Sequence, residues 1–334
     1  VPSEKRHRFS GRHPNVRNEP MTTNVKSAVS LIGLPYLMGT RAPNAGYKMA
    51  QGPVVLLQES NAPAAMRRVF SDVTTIMIED ADEPTAENTG GDFRLLPVGD
   101  QMSRILVQNI RLAQEVKAAR ASNRITIACV GACSASLGMV GGIGDAEGPV
   151  GMIWFDAHGD AQTPDTSENG FLEGMPVTTI AGKCWPKYRR KIPGFNEIRE
   201  DRIITIGLNE MFSPTARKHA GDALGWLVHR PEIERLGFEG ALAAALDDLK
   251  TRCKQVYIHF DTDVLDPSVL KANTHAAVGG ITDEQASVAF AMIGQRFEIL
   301  AVSFASYDPV VDPRGPQVLV PLIVQAAKAA AGKA

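Results

Sequence analysis

Residues 150–160 read VGMIWFDAHGD and residues 255–267 read QVYIHFDTDVLDP. Each stretch opens as a short apolar run and then turns abruptly into aspartates. Runs of this length, rich in Val, Ile and aromatic residues and bounded by turn-forming residues, are typical of strands buried on both faces of a parallel sheet. Working outward, similar runs occupy residues 28–34, 124–130, 202–208 and 299–304. Helical patterns lie between them. Residues 238–253 place Leu242, Ala245, Leu246 and Leu249 on one helical face, Thr282 with Gln285 forms a capping box, and an Ala-rich tail from Pro321 suits a closing helix. This alternation predicts an α/β fold built on a mostly parallel central sheet.

The composition is that of an ordinary globular chain. Of 334 residues, 44% are hydrophobic and 22% charged, which argues against disorder or a fibrous repeat. With 35 Lys plus Arg against 37 Asp plus Glu the net charge is −2, so no overall field draws in nucleic acid or an anionic membrane. Neither is expected as a partner. Cys129, Cys133, Cys184 and Cys253 lack zinc-type pairing and disulfide-scaffold density, and no apolar run reaches the ~18 residues of a membrane span. A soluble cytoplasmic protein is the expectation. Residues 1–20 carry five Lys or Arg among few large apolar groups, ahead of Met21, and read as a disordered basic extension. Residues 21–334 read as one domain.

The chemistry lies where the apolar runs end, at the sheet edge where open α/β folds bind ligands. Alternate residues of an extended segment point the same way, so Asp156, His158 and Asp160 can converge, and Asp261 and Asp263 repeat the arrangement. Four carboxylates brought together out of water repel one another and need either raised pKa values or a cation. Two divalent ions satisfy them. Oxygen-rich ligation with one or two imidazoles suits Mn(II), with Ni(II), Co(II), Zn(II) or Fe(II) as alternatives.

DAHGD, HFDTDVLDP and the earlier Gly33, with residues 39–46 leading to Gly52-Pro53, resemble the motifs of the arginase, or ureohydrolase, family, which includes arginases, agmatinases and formiminoglutamases. The resemblance spans roughly residues 26–322. It implies a three-layer α/β/α sandwich, two manganese ions, and attack of a metal-bridging hydroxide on a C–N carbon of a small substrate. It also implies homo-oligomers, either trimers or hexamers. By position, Asp156 and Asp261 would bridge the ions, Asp160 would bind the first and orient the nucleophile, and His158 and Asp263 would bind the second.

Three departures mark the chain as divergent. Where the family pattern carries a histidine ligand, this sequence has Cys133, which is either a thiolate ligand or a buried thiol that binds nothing. Glu173 replaces a histidine that moves protons or touches substrate, so Glu173 is a candidate for both roles, the plainer alternative being a loop carboxylate. Ser306 stands where a glutamate grips the guanidinium, and a hydroxyl cannot supply that charge-assisted bidentate pair. Asp308, Glu173, Asn273 and His275 are the remaining candidates to line the substrate pocket, although His275 alone reads most simply as a loop histidine.

These features imply a dinuclear-metal hydrolase of a small guanidino, amidino, ureido or amide compound that is not a standard arginase. The competing reading is a catalytically impaired metal-binding homologue with an assembly or regulatory role. A dinucleotide fingerprint through Gly138, Gly141, Gly142 and Gly144 is incomplete, because Glu147 stands where its last glycine belongs.

Overall fold

The structure, a computed structural model, describes residues 27–37, 47–79, 98–167, 170–208 and 226–333. The proposed extension over residues 1–20 and residues 39–46 of the glycine-containing stretch lie outside the described residues. Eight strands form one parallel sheet: β1 (Ala28–Leu34), β2 (Asp72–Met77), β3 (Ile125–Val130), β4 (Val150–Asp156), β5 (Ile203–Gly207), β6 (Trp226–Val228), β7 (Gln255–Asp261) and β8 (Glu298–Ala305). Their order is β2-β1-β3-β8-β7-β4-β5-β6. The two last strands in sequence are therefore inserted between β3 and β4. This insertion sets the carboxyl ends of β3, β8, β7 and β4 side by side.

Five longer helices cover the sheet: α1 (Val98–Ala121), α2 (Ser136–Gly142), α3 (Arg230–Lys250), α4 (Asp283–Gly294) and α5 (Gly315–Ala330). On one face Leu31, Ile127, Phe155, Ile258 and Phe260 pack with Leu246 of α3, Phe290 of α4 and Ile323 of α5. On the other, Ile32, Trp154 and Tyr257 pack with Leu112 and Val116 of α1 and Met139 of α2. The expected α/β/α sandwich is thus observed, with a core on each side of the sheet. No helix among the described residues is long and apolar enough to cross a membrane.

All six strands read from the sequence are present, within a residue or so at each end. β2 and β6 are additions. The β2 sequence DVTTIM is largely exposed at the sheet edge, and β6 has three residues, so neither carries the continuous apolar run of a central strand. The helix expected over residues 238–253 is the second limb of α3, which Gly237 breaks with a φ of 71°. The capping box forms: Thr282 Oγ1 accepts from the Gln285 backbone N–H at 3.1 Å, and Gln285 Oε1 accepts from that of Thr282 at 2.9 Å. α5 starts at Gly315, earlier than the Ala-rich tail, and carries Pro321 inside it. Gly138, Gly141 and Gly142 lie in the buried helix α2 rather than in a phosphate-binding loop.

At Gly131, between β3 and Cys133, the backbone runs close against a neighbour: a Cβ there would collide with the Tyr36 carbonyl oxygen. Backbone cannot rotate out of the way as a side chain can. Gly131→Ala is expected to lower stability by about 1–3 kcal/mol, measured by urea denaturation. An unchanged midpoint would show that the chain leaving β3 has room to shift.

Candidate metal centre

Asp156 ends β4, and its carboxylate is fixed from both sides. Trp154 Nε1 donates to Oδ2 at 2.8 Å, and the His158 backbone N–H donates to Oδ1 at 2.6 Å. His158 Nδ1 lies 3.1 Å from that same Oδ1 and 3.4 Å from Asp263 Oδ2. Asp160 reaches the cluster differently from the extended alternation expected of it. Gly159 (φ 83°) and Asp160 (φ 44°) both adopt left-handed backbone, which curls the chain back toward β4.

On β7, Asp261 caps a short turn, its Oδ1 accepting from the Asp263 N–H at 2.9 Å. The Cys133 thiol, delivered by the turn after β3, donates to Asp261 Oδ2 at 2.7 Å. Asn273 Nδ2 bonds Asp263 Oδ2 at 3.1 Å and the Ser306 carbonyl at 3.0 Å. Cys133, Asp156, Asp261 and Asp263 are buried; His158 is partly exposed, and Asp160, though partly exposed as a residue, turns its carboxyl into the buried cluster. All six residues expected as ligands come together.

The electrostatics follow from this crowding. Burial, reinforced by Asp156, pushes the Asp160 carboxyl well above the usual range, and burial with Asp263 and Asp156 does the same for Asp261. Burial also raises the Cys133 thiol, with Asp261 adding to the effect. Asp263 goes the other way: burial works against its ionisation, but His158 beside it and bonds from His158 and Asn273 hold it down at about 2. His158 is raised in turn by Asp263 and Asp156, which outweigh its own burial.

Protons and one imidazolium thus do the neutralising that cations would do. Three groups each place their ligand atoms within 4.8 Å of one another: Cys133, Asp156 and Asp160; Asp156, His158 and Asp263; and Cys133, His259 and Asp261. Asp156 belongs to two of these and Cys133 to two. The overlap fits a pair of adjacent divalent ions sharing ligands, since a single ion would leave part of the set uncompensated.

His259 is absent from the residues selected by sequence. The signal for it is the strand alternation itself, which puts His259 on the same face of β7 as Asp261. It is fully buried, and burial lowers its pKa to about 3.

The expected substrate residues divide. Ser306 (φ 66°) sits beside the cluster, its Oγ 3.5 Å from Cys133 Sγ. The His275 ring faces His158 at 6.1 Å between centroids, with Tyr47 at 5.1 Å and Phe171 at 6.5 Å, so an aromatic rim surrounds the site. Asp308, by contrast, holds loops together: Oδ2 accepts from the Lys48 N–H at 2.7 Å and Oδ1 from the Val310 N–H at 3.0 Å. Glu173 is buried against the turn carrying Cys133, where it accepts from the Ser134 N–H at 2.7 Å and from Ser134 Oγ at 2.8 Å.

A model of the arginase family matches residues 27–330. An arginase from Bacillus caldovelox is 27% identical over 225 residues, covering 67% of this chain and 73% of that one. A solved structure of the Bacillus caldovelox arginase aligns with a TM-score of 0.76 at 24% identity, covering 90% of this chain and 97% of that one. Formimidoylglutamase from Bacillus subtilis aligns with a TM-score of 0.66 at 16% identity, covering 97% and 96%. The chain belongs to the arginase family, a family of dinuclear-metal hydrolases acting on C–N bonds.

Burial raises the Glu173 carboxyl to about 8, overriding the lowering effect of its two bonds to Ser134. The folded state therefore keeps a proton that the unfolded chain, near 4.5, gives up. That contribution to stability is complete below pH 4.5 and is lost as pH rises toward 8. Relative to Glu173→Gln, the wild type should lose on the order of 4 kcal/mol across this window, read from thermal denaturation of both proteins at several pH values. Parallel curves would mean that the carboxylate ionises freely in the fold.

Proposed function

We infer that this protein hydrolyses a C–N bond, other than a peptide bond, in a small guanidino, amidino, ureido or amide compound, and that arginine is not its substrate. One observation carries the reading: four aspartates from the ends of β4 and β7 share one buried cluster with His158 and Cys133. In this reading Asp156 and Asp261 would be shared by two divalent ions, Cys133 and Asp160 would help hold the first, and His158 and Asp263 would help hold the second. Bound there, the ions activate water and polarise the substrate. Mn(II) is the first choice for an oxygen-rich set, with Ni(II), Zn(II), Co(II) or Fe(II) as alternatives. A cytoplasmic homo-oligomer, a trimer or a hexamer, accompanies this assignment.

The chain's own residues supply the rest. Asp160 would act in its ionised form, reached once bound cations offset the charge of its neighbours, and would then accept a proton at its carboxylate from the attacking water. His275, whose pKa is lowered by burial and by His158, presents a neutral imidazole at the mouth that would first take up a proton from solvent and then, as imidazolium, give it to the departing nitrogen. Asn273 orients Asp263, and the Tyr47 and Phe171 rings limit the entry of water. Glu173 acts through Ser134, holding the Cys133 turn.

Recognition separates this chain from an arginase. Both acids expected to stand in for a guanidinium-binding glutamate, Glu173 and Asp308, are engaged by loop donors, and Ser306 offers a hydroxyl. A neutral head group suits this site better than a guanidinium.

Asp156→Ala should reduce two-ion loading to none, counted by native mass spectrometry of the Mn(II)-reconstituted protein. Full occupancy in the variant would remove Asp156 from the bridge. With the metal-loaded wild type, ureido, amide and amidine compounds should exceed arginine by at least about 100-fold in kcat/KM, the scale of a lost charge-assisted pair. Ser306→Glu should narrow that gap. Arginine as the best substrate would overturn the specificity, whereas full metal loading without turnover of any compound would favour the assembly or regulatory role.

A further inference from the structure

His259 lies on β7 two residues before Asp261, fully buried in a strand whose neighbours pack as core. Its ring is held in place from several directions. Trp154 stacks on it at 3.7 Å between centroids, with planes 17° apart. Ser303 Oγ, from the adjacent strand β8, lies 2.9 Å from Nδ1, and Tyr257 Oη lies 3.3 Å from the same nitrogen. Nε2 has no hydrogen-bond partner among the described residues. A ring nitrogen of His259, the Cys133 sulfur and an Asp261 carboxylate oxygen lie within 4.8 Å of one another.

A fully buried polar nitrogen without a partner is an exception in folded proteins and calls for a reason. Packing alone does not supply one, because an apolar ring could stack on Trp154 equally well. We propose that His259 ligates the first metal position through Nε2, restoring from β7 the imidazole that Cys133 has displaced at the end of β3. This rests on the two-metal reading above.

The tautomer follows from the surroundings. With Nδ1–H donated to Ser303 Oγ, Nε2 carries the free lone pair, the arrangement by which an outer hydrogen bond fixes a metal-binding histidine. Ser303 and Tyr257 also bond each other at 2.6 Å, so the outer layer is itself anchored. The consequence concerns metal choice. One position then combines sulfur, imidazole and carboxylate, and favours Zn(II), Co(II) or Fe(II) over Mn(II). The other, built on His158, Asp156 and Asp263, keeps the harder set. A mixed-metal centre follows.

Co(II) binding to the full chain tests this, with calorimetry for affinity and NMR of protein labelled with [15N]histidine for ligand count. The wild type should bind two ions and show two hyperfine-shifted imidazoles, those of His158 and His259. His259→Phe keeps the stacking on Trp154 and leaves Ser303 and Tyr257 bonded to each other. It should bind one Co(II) as the wild type does and the other at least about 100-fold more weakly, beyond the usual range for an outer partner alone, with one shifted imidazole lost. Unchanged binding of both ions by a folded His259→Phe would overturn the proposal. If that variant fails to fold, the wild-type spectrum decides: two shifted imidazoles support ligation, and two bound ions with one shifted imidazole overturn it while leaving the two-metal reading intact. A wild type that binds no Co(II) would overturn both.

Discussion

The mutual repulsion of buried carboxylates governs this structure. Asp156, Asp261 and Asp263 are almost entirely removed from water, with the Asp160 carboxyl turned in beside them. In a low-dielectric setting such charges cannot coexist uncompensated. The fold responds with whatever positive or proton-bearing groups are within reach: His158 between Asp156 and Asp263, the Cys133 thiol on Asp261, the Trp154 N–H on Asp156 and the Asn273 amide on Asp263. These contacts tie the ends of β3, β4 and β7 into one unit. Divalent cations meet the same demand more completely, and their binding would release the protons now held there.

The sheet order makes this concentration possible. Because β7 and β8 are inserted between β3 and β4, residues distant in sequence emerge at neighbouring points on one edge: Cys133, Ser306, Asp261 and Asp156. A side chain can then be supplied by one strand end or by the next with little change in where it arrives. If position 133 is a ligand position, as proposed above, replacing its histidine by Cys133 would not dismantle the site, since β7 places the His259 imidazole within reach of Cys133 and Asp261.

Much of this was legible in the sequence, and the reason is physical. Central strands of a parallel sheet are buried on both faces, so β1, β3, β4, β5, β7 and β8 stand out as apolar runs. The edge strands β2 and β6 have no such constraint and leave no comparable trace. The aspartate motifs were legible because carboxylates directly after a buried strand are costly unless something binds them. His259 was overlooked because one histidine within an apolar run has no distinguishing spacing, and what gives it meaning is its proximity to Cys133 on another strand. Asp160 joins the cluster, but it does so through left-handed backbone at Gly159 and Asp160 rather than by strand alternation.

The layer around the metal ligands carries the remaining argument about specificity. Glu173 and Asp308 are acidic, close and buried, and on charge alone either could bind a cationic substrate. Each instead accepts two hydrogen bonds that stabilise a loop: Glu173 the Ser134 turn, and Asp308 the segments at Lys48 and Val310. Releasing Glu173 for a guanidinium would leave the buried Ser134 N–H and hydroxyl unpaired, at about 1–3 kcal/mol for each group, whereas the Lys48 and Val310 donors of Asp308 lie near enough to the surface for water to replace it. Attraction to the substrate would have to exceed that cost before any net affinity appeared. Under the proposed function, the Ser134 turn would therefore oppose use of Glu173 by a cationic head group while leaving the aspartate cluster untouched, and specificity would diverge there without loss of the chemistry.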